Sequence, residues 1–504
     1  MWLGWRREAY FRAIPTTRAS TQFACFGGFQ DIVCDAAHAG CDLFAASREA
    51  GSSGARLLRL YCFAASCRSG ERSMRRQLLA VSLAVVLSAL LPAAAAPAPD
   101  RNLGVADCAG STCHGSIRPF ADRQIRQDEY FVWQRKDAHG SAWKTLFTER
   151  ARRITGQLGW AAPHEAQGCL VCHAHVPPAE ARGPRFQNED GIACEACHGA
   201  SERWIAEHVN SLKTPEEKRA HGMTATWDAR VRGQLCTSCH LGDTSHPMTH
   251  AIMAAGHPPL LFELDTFTAL MPPHWDVDAD YRKRKPVADT ASNWLEGQIA
   301  ATDAWLARLE SGALGHGLFP ELALFDCDAC HHSMNANRWH AGRAPGLSPG
   351  QVPLADQPLV LVQAWAGVMS PGLADVMTVQ RERLYKQYET DASRLRAQAG
   401  ELRGWLQREA WGRLRQGSPD AAQLRQVLRR VAQNAESAQG GDFYYAQQTA
   451  MAAQVLAAAI GERGGNAAAL KGATDALYDS VKNRDRFQPE EYRGALGKLS
   501  AAVR

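Results

Sequence analysis

The chain has 504 residues and a formal net charge of +4, and hydrophobic residues make up 45% of it. This length allows two to four domains of about 100–200 residues, each with a buried core. The sequence carries neither a basic block nor an acidic tail, so composition gives no support to a nucleic-acid-binding protein. The counts that stand out are 15 Cys, 18 His and 14 Trp.

The first elements in chain order are processing signals. Residues 1–73 hold cysteines without a repeated spacing, and we predict that they are an upstream extension ahead of the true start. Residues 74–96 are typical of a Sec signal peptide, with a basic n-region from Met74, an apolar h-region over Leu78–Leu91 and small residues before Pro97. The apolar run is too short to span a bilayer comfortably, so a retained anchor is the less favoured alternative. The predicted location is the periplasm.

The ten cysteines after residue 100 form five pairs, and four of the pairs have the spacing C-x-x-C-H. This spacing is the attachment signature of c-type haem. Two thiols three residues apart reach the two vinyl groups on one haem edge, and the histidine that follows points at the iron as proximal ligand. The four motifs are Cys169-Cys172-His173, Cys194-Cys197-His198, Cys236-Cys239-His240 and Cys327-Cys330-His331.

The fifth pair is irregular, because four residues separate Cys108 from Cys113 before His114. The intervening loop must bulge, and Gly110 and Ser111 make a bulge tolerable. We interpret the segment as a C-x4-C-H haem site. The alternatives are a disulfide, which an exported protein permits, or a haem held by Cys113 alone.

Two other chemistries compete for the four regular motifs. A structural zinc site needs four ligands, usually two cysteine pairs or one pair with a distant histidine pair, whereas here every pair is followed at once by histidine. A redox dithiol would sit beside a βαβ pattern, which no motif has. The predicted cofactor is therefore haem c, with four haems at the regular motifs and a fifth at the C-x4-C-H site.

A haem with six ligands needs a second side chain on its iron, and imidazole is a common choice. His332 follows His331 directly, and adjacent side chains cannot both approach one iron, so His332 is placed to reach a neighbouring haem. His250 and His257 are seven residues apart, which puts them on one side if the stretch is helical. The predicted second ligands are His139, His208, His250, His257 and His332, with His274 in reserve.

The amino-acid composition of the chain changes after the last motif. Residues 104–340 form the predicted haem region, with few strand signals and a helical pattern over Ser292–Leu309. Residues 341–372 are predicted to be a Gly/Pro-rich linker. Residues 373–504 lack Cys and His and predict four or five antiparallel helices, with a start at Ser418-Pro419. The predicted fold class is mainly α, a multihaem region with little regular sheet followed by a helical bundle.

The motif residues resemble the cytochrome c-554 family of multihaem cytochromes. The resemblance lies in the run Gly191–Gly199, in Trp204 and His208 after it, and in the upstream run His139–Trp143. It covers roughly residues 104–340 and implies tightly stacked haems, mostly with two histidine ligands, and electron transfer in the periplasm. The fifth site and the long helical tail depart from the four-haem pattern of the family.

Two functions are compatible with these motifs, and we favour electron transfer over catalysis. A carrier would pass electrons through about five haems to redox partner proteins, such as quinol-oxidising proteins or other cytochromes. Membrane contact would require that the signal segment be retained. The alternative is an oxidoreductase that acts on a small nitrogen or sulfur compound at one haem with an open position. The interval between His240 and Cys327 is where such a site would lie.

Overall fold

The computed structural model describes residues 99–120, 125–210, 212–312, 321–331, 347–348, 350–388, 392–438 and 443–504. The predictions for residues 1–73 and for the signal peptide at 74–96 lie outside these residues, and so does His332. In the described part of the chain, no helix is long and apolar enough to cross a membrane.

Helices dominate the described residues, as the sequence predicted. Extended pairing over these ranges is limited to two isolated bridges, one between Asn102 and Arg182 and one between Phe325 and Leu354. The prediction of a mainly α fold with little regular sheet is confirmed.

Short helices connected by long loops make up the region that holds the motifs. Isolated helices shorter than about 12–15 residues are marginal in water, so most of these depend on tertiary contacts. The α-helices are Val105–Cys108, Glu129–Lys136, Glu149–Leu158, Gln167–His173, Cys194–His198, Pro215–Ala220, Ala229–His240, His250–Ala254, Leu264–Leu270 and Ala279–Arg284. Single 3-10 turns cover Ala138–Ser141, Trp143–Phe147, Ala179–Ala181, Asn188–Asp190, Leu322–Leu324 and Cys327–Ala329.

The apolar clusters of this region are small. One cluster joins Ala142, Ile192 and Ala196, and a second joins Leu146, Leu170 and Ala174. A third joins Ala229, Phe262 and Leu264. Clusters of three buried residues bury little apolar surface, so side-chain packing alone supplies little of the stability of this region.

Longer helices with a continuous core follow. Their bounds are Thr290–Glu310, Gln357–Met369, Pro371–Tyr388, Ala392–Trp405, Trp411–Leu414, Ala421–Ser437, Phe443–Glu462, Ala468–Val481 and Pro489–Ala502, with a π-helical turn at Leu406–Ala410 and a 3-10 turn at Arg484–Arg486. One hydrophobic core extends from Ala291 to Val503. Most consecutive helices of this part contact each other, and their antiparallel arrangement stays a prediction.

Helix Thr290–Glu310 connects the two parts of the chain. It contacts Ala229–His240, which ends in a motif histidine, and it also contacts Ala392–Trp405 and Gln357–Met369. Its start is fixed by Asp289, whose side chain accepts a hydrogen bond from the Ser292 amide. The periodic pattern over Ser292–Leu309 predicted this helix correctly, to within two residues at its start and one at its end.

The linker prediction for residues 341–372 is wrong over Gln357–Met369, which form a helix. Nine of its thirteen residues are buried, Leu359, Leu361 and Val362 among them. Gly and Pro are frequent only in the first half of the segment, and an apolar run of this length without polar spacing is typical of a helix buried on all sides.

The prediction of four or five helices after residue 373 falls short, because the described residues contain six of fourteen residues or more. The predicted start at Ser418-Pro419 is also displaced. Asp420 is the N-cap of helix Ala421–Ser437 and makes a capping box with Gln423. An aspartate next to the first helical residue is the better cap because its carboxylate reaches the orphan amides.

Candidate haem-binding sites

Three of the four regular motifs occupy the last turn of a helix. Helices Gln167–His173, Cys194–His198 and Ala229–His240 each end at the motif histidine. The helical turn brings the two thiols of a motif to one side, and the histidine emerges where the helix ends. The fourth motif begins with the 3-10 turn Cys327–Ala329, and the His331 amide donates to the Cys327 carbonyl at 2.8 Å.

The irregular motif reaches a similar arrangement by folding its extra residues into a loop. The His114 amide donates to the Cys108 carbonyl at 3.1 Å, and the Cys113 amide donates to the Gly110 carbonyl at 2.8 Å. A Cβ on Gly115 would lie 2.0 Å from the Ala109 carbonyl oxygen, so this position requires glycine. Sequence reasoning identified Gly110 but missed Gly115, whose contact partner is six residues earlier.

All ten cysteines among the described residues are free. The disulfide alternative for Cys108 and Cys113 therefore has no support in the structure. Within the same residues no three His, Cys, Asp or Glu side chains converge as a metal-binding cluster, which is the arrangement that a structural zinc site would need.

Each of the five motif histidines faces a second histidine. The ring centroids of every such pair are between 6.0 and 6.3 Å apart. The pairs are His114 with His208 at 6.1 Å, His173 with His257 at 6.3 Å, His198 with His274 at 6.3 Å, His240 with His139 at 6.2 Å, and His331 with His250 at 6.0 Å.

This spacing matches what two imidazoles on one metal require. A metal between two rings lies about 2 Å from each nitrogen, and each nitrogen lies about 1.1 Å from its ring centroid, so the centroids are about 6.2 Å apart. Aromatic ring contacts in general span centroid distances of about 4.5–7 Å, whereas all five of these pairs lie between 6.0 and 6.3 Å. The donor sets therefore fit a six-coordinate iron between each pair.

Four of the five predicted second ligands lie opposite a motif histidine, namely His139, His208, His250 and His257. His274, the reserve candidate, faces His198. The prediction for His332 stays a prediction, since this residue lies outside the described ranges.

The suggestion that His250 and His257 share one helical face is wrong. Helix His250–Ala254 ends before Gly256, whose φ of 108° turns the chain away from the helix. His257 therefore faces His173, whereas His250 faces His331. Only glycine adopts this φ at low cost, so Gly256 was the signal in the sequence.

The ring planes divide the pairs into two groups. The planes are nearly parallel in His114 with His208, at 21°, and in His250 with His331, at 26°. The planes are nearly perpendicular in the other three pairs, at 75° for His173 with His257, 81° for His198 with His274 and 88° for His240 with His139.

Hydrogen bonds at Nδ1 orient several of these rings. His114 bonds to Glu129 at 2.9 Å, and His139 bonds to Asp137 at 2.9 Å. His173 bonds at 2.8 Å to Thr145, whose hydroxyl already donates to a carbonyl and so accepts from the ring. His208 and His257 bond to backbone carbonyl oxygens at 2.6 and 2.7 Å. A partner at Nδ1 fixes the tautomer and leaves Nε2 for a metal.

In the pair His198 and His274, the buried Nδ1 of His198 lacks a hydrogen-bond partner. Burial lowers the pKa of His198 to about 3 and also lowers the pKa of His274. Both rings are therefore neutral at pH 7, which is the form that ligates a metal.

The cysteines of different motifs lie near each other. The neighbouring thiol of Cys194 and burial raise the pKa of Cys108. Burial and the neighbouring thiol of Cys172 raise the pKa of Cys239. The charge of Cys236 acts on the buried Cys197. The motifs therefore adjoin in the order Cys108, Cys194, Cys236, Cys169.

The Cys327 motif borders a cavity that both parts of the chain line. Leu241, Met253 and Leu261 come from the motif region, and Trp305, Arg308 and Gln448 come from the long helices. Arg308 donates to the carbonyl oxygens of Leu241 and Met248 at 3.0 and 3.2 Å. The helices after residue 290 thus contribute directly to the surroundings of this motif.

Comparison with known proteins agrees with this geometry. The family model described as cytochrome c554 and c-prime matches residues 108–199, which contain the first three motifs. No curated protein matches the chain. No solved structure matches it either. Over residues 108–199 the chain resembles the cytochrome c554 family, a family of c-type cytochromes that carry covalently bound haem c and transfer electrons.

Proposed function

We propose that the protein is a periplasmic electron carrier with five covalently bound haems, each held between two histidines. The observation that supports this proposal most strongly is the set of five histidine pairs at 6.0–6.3 Å, one for each motif. Five independent pairs with the separation that an intervening metal requires would be a rare coincidence in a fold without haems.

The residues have separate roles at each site. The two cysteines would attach the haem covalently, and the two histidines would hold its iron. A bound haem accepts and returns one electron, and two imidazoles favour a lower potential than a His/Met pair. Glu129, Asp137 and Thr145 hold ligand rings in place, so little reorganisation accompanies each change of charge.

The cysteine contacts support an electron path. Because thioether sulfurs mark the haem edges, the haems would adjoin in the order first, third, fourth and second along the sequence. The cavity beside Cys327 is lined by Leu241, the residue after His240. The fifth haem would therefore adjoin the fourth.

Two haems of this arrangement would have exposed edges, which supports a role with protein partners. Cys113 and Cys330 are exposed, whereas Cys239 is buried. The edges of the first and fifth haems would then reach the surface, where a quinol-oxidising protein or another cytochrome could exchange electrons with them.

The catalytic alternative needs a haem with an open position. The interval between His240 and Cys327 was the expected place for one, but His250, His257 and His274 in that interval each face a motif histidine. This arrangement supports the carrier.

The test is a haem count followed by EPR spectroscopy of the oxidised, exported protein. We expect five haems per chain by pyridine haemochrome and low-spin signals alone. A count below five would contradict the assignment of the motifs. A high-spin haem that binds nitrite, hydroxylamine or sulfite would favour the oxidoreductase.

A further inference from the structure

Asp137 lies between two of the haem sites. Its side chain is buried, with 4% of its surface exposed. One carboxylate oxygen accepts hydrogen bonds from the His139 amide at 3.0 Å and from the His139 Nδ1 at 2.9 Å. His139 faces His240, so this contact reaches the fourth haem site.

The turn that Asp137 caps also lies against the third haem site, because the Ile192 amide, two residues before Cys194, donates to the His139 carbonyl at 3.1 Å. The charge of Asp137 acts on His274, the ring opposite His198, and on the buried thiol of Cys197. The negative charges of Asp137 and Glu129 both act on the buried His274 ring and raise its pKa against the larger effect of burial.

We propose that Asp137 is a positioning residue shared by two haems, and that its charge lowers the reduction potentials of the third and fourth haems together. This inference rests on the proposed function. A negative charge close to an iron favours the ferric state, and a carboxylate on a ligand imidazole makes that ligand more basic. Both effects are stronger in a buried site, where water does not screen them.

Asp137 has a structural role that must be separated from its charge. It is the N-cap of the turn Ala138–Ser141, where its side chain accepts from the His139 amide. Asparagine caps as well as aspartate does and carries no charge. The variant D137N therefore removes the charge and keeps the cap, and D137S is a second neutral variant with a capping hydroxyl.

The experiment is a spectroelectrochemical titration of the intact five-haem protein and its variants. We expect D137N and D137S to raise the potentials of two of the five haems. The expected size is at least a tenfold change in the ratio of oxidised to reduced haem at fixed potential, or about 59 mV for a one-electron couple. The matched control is D479N, which removes an exposed carboxylate that pairs with Lys482 in the last third of the chain.

The outcomes separate this inference from the proposed function. A shift of one haem, of all five or of none would overturn the shared role of Asp137. Loss of haem in both neutral variants would also overturn it, because the role would then be structural. The proposed function is tested beforehand by the haem count and EPR spectrum of the unmodified protein.

Discussion

At the scale of single residues, the first motif depends on one glycine. A Cβ on Gly115 would meet the Ala109 carbonyl oxygen at 2.0 Å, whereas a Cβ on Gly110 would have only an ordinary contact with Cys113 at 3.5 Å. We expect G115A to open the loop and to lower the haem count from five to four. The matched control G110A should retain five. Equal counts in the two variants would show that the loop does not position this haem.

The second prediction concerns His274, which the sequence ranked below the other candidates. We expect H274A to leave the third haem attached through Cys194 and Cys197 but with an open position. The haem count should stay at five while one high-spin, carbon monoxide-binding haem appears in the optical and EPR spectra. The control H221A removes a histidine that faces no motif histidine, and it should leave every haem low-spin. A low-spin spectrum in H274A would contradict the pairing with His198.

Residue-scale reasoning from the sequence found the cysteines and the motif histidines because their spacing is local. It could nominate second ligands but could not pair them. His139 faces His240 and His208 faces His114 across long stretches of chain, and such contacts depend on the tertiary fold. His274 was undervalued because nothing in its neighbourhood resembles a motif.

At the scale of elements, the short helix Leu264–Leu270 carries a buried acid at its start. Glu263 accepts hydrogen bonds from the amides of Asp265 and Thr266, yet burial raises its pKa to about 7. The Glu263 carboxyl therefore keeps its proton to a higher pH in the folded state than in the unfolded state. The stabilisation that protonated Glu263 provides is present at pH 4 and is lost as pH rises to about 7.

We therefore expect the free energy of unfolding of E263Q, relative to the parent protein, to increase between pH 4.5 and pH 8. The size of the pKa shift corresponds to roughly 3 kcal/mol over this range. Glutamine keeps one of the two acceptor oxygens of the cap and does not titrate, so the pH dependence of the difference between the two free energies from urea denaturation isolates this group. A difference that is constant with pH would show that Glu263 titrates normally.

Helices were predictable from the sequence where apolar residues recur at helical spacing. Thr290–Glu310 has this pattern, and so does Ala421–Ser437, where Leu424, Val427 and Leu428 are buried as expected. Gln357–Met369 was missed because it is apolar on all sides and follows a Gly/Pro-rich stretch. The short helices that end in motifs have too few turns to show any period.

At the scale of the whole molecule, the two classes of ring geometry predict the EPR spectrum. Each imidazole raises the energy of one of two iron d orbitals. Two parallel rings raise the same orbital, so the two orbitals differ in energy, whereas two perpendicular rings raise both orbitals equally. We expect two rhombic low-spin haems, from the pairs at 21° and 26°, and three haems with a single large g value. Integrated intensities of the oxidised protein check this ratio, and five haems of one class would contradict it.

The cavity beside Cys327 also constrains how the protein matures. Helix Phe443–Glu462 is largely buried, and its Gln448 lines this cavity and donates to the Phe262 carbonyl at 3.0 Å. An attachment enzyme needs access to both thiols and to the empty space between them. Covalent attachment at Cys327 would therefore precede the docking of this helix, which is made later in synthesis, and the docked helix would then cover the Cys327 side of the final haem while Cys330 stays exposed.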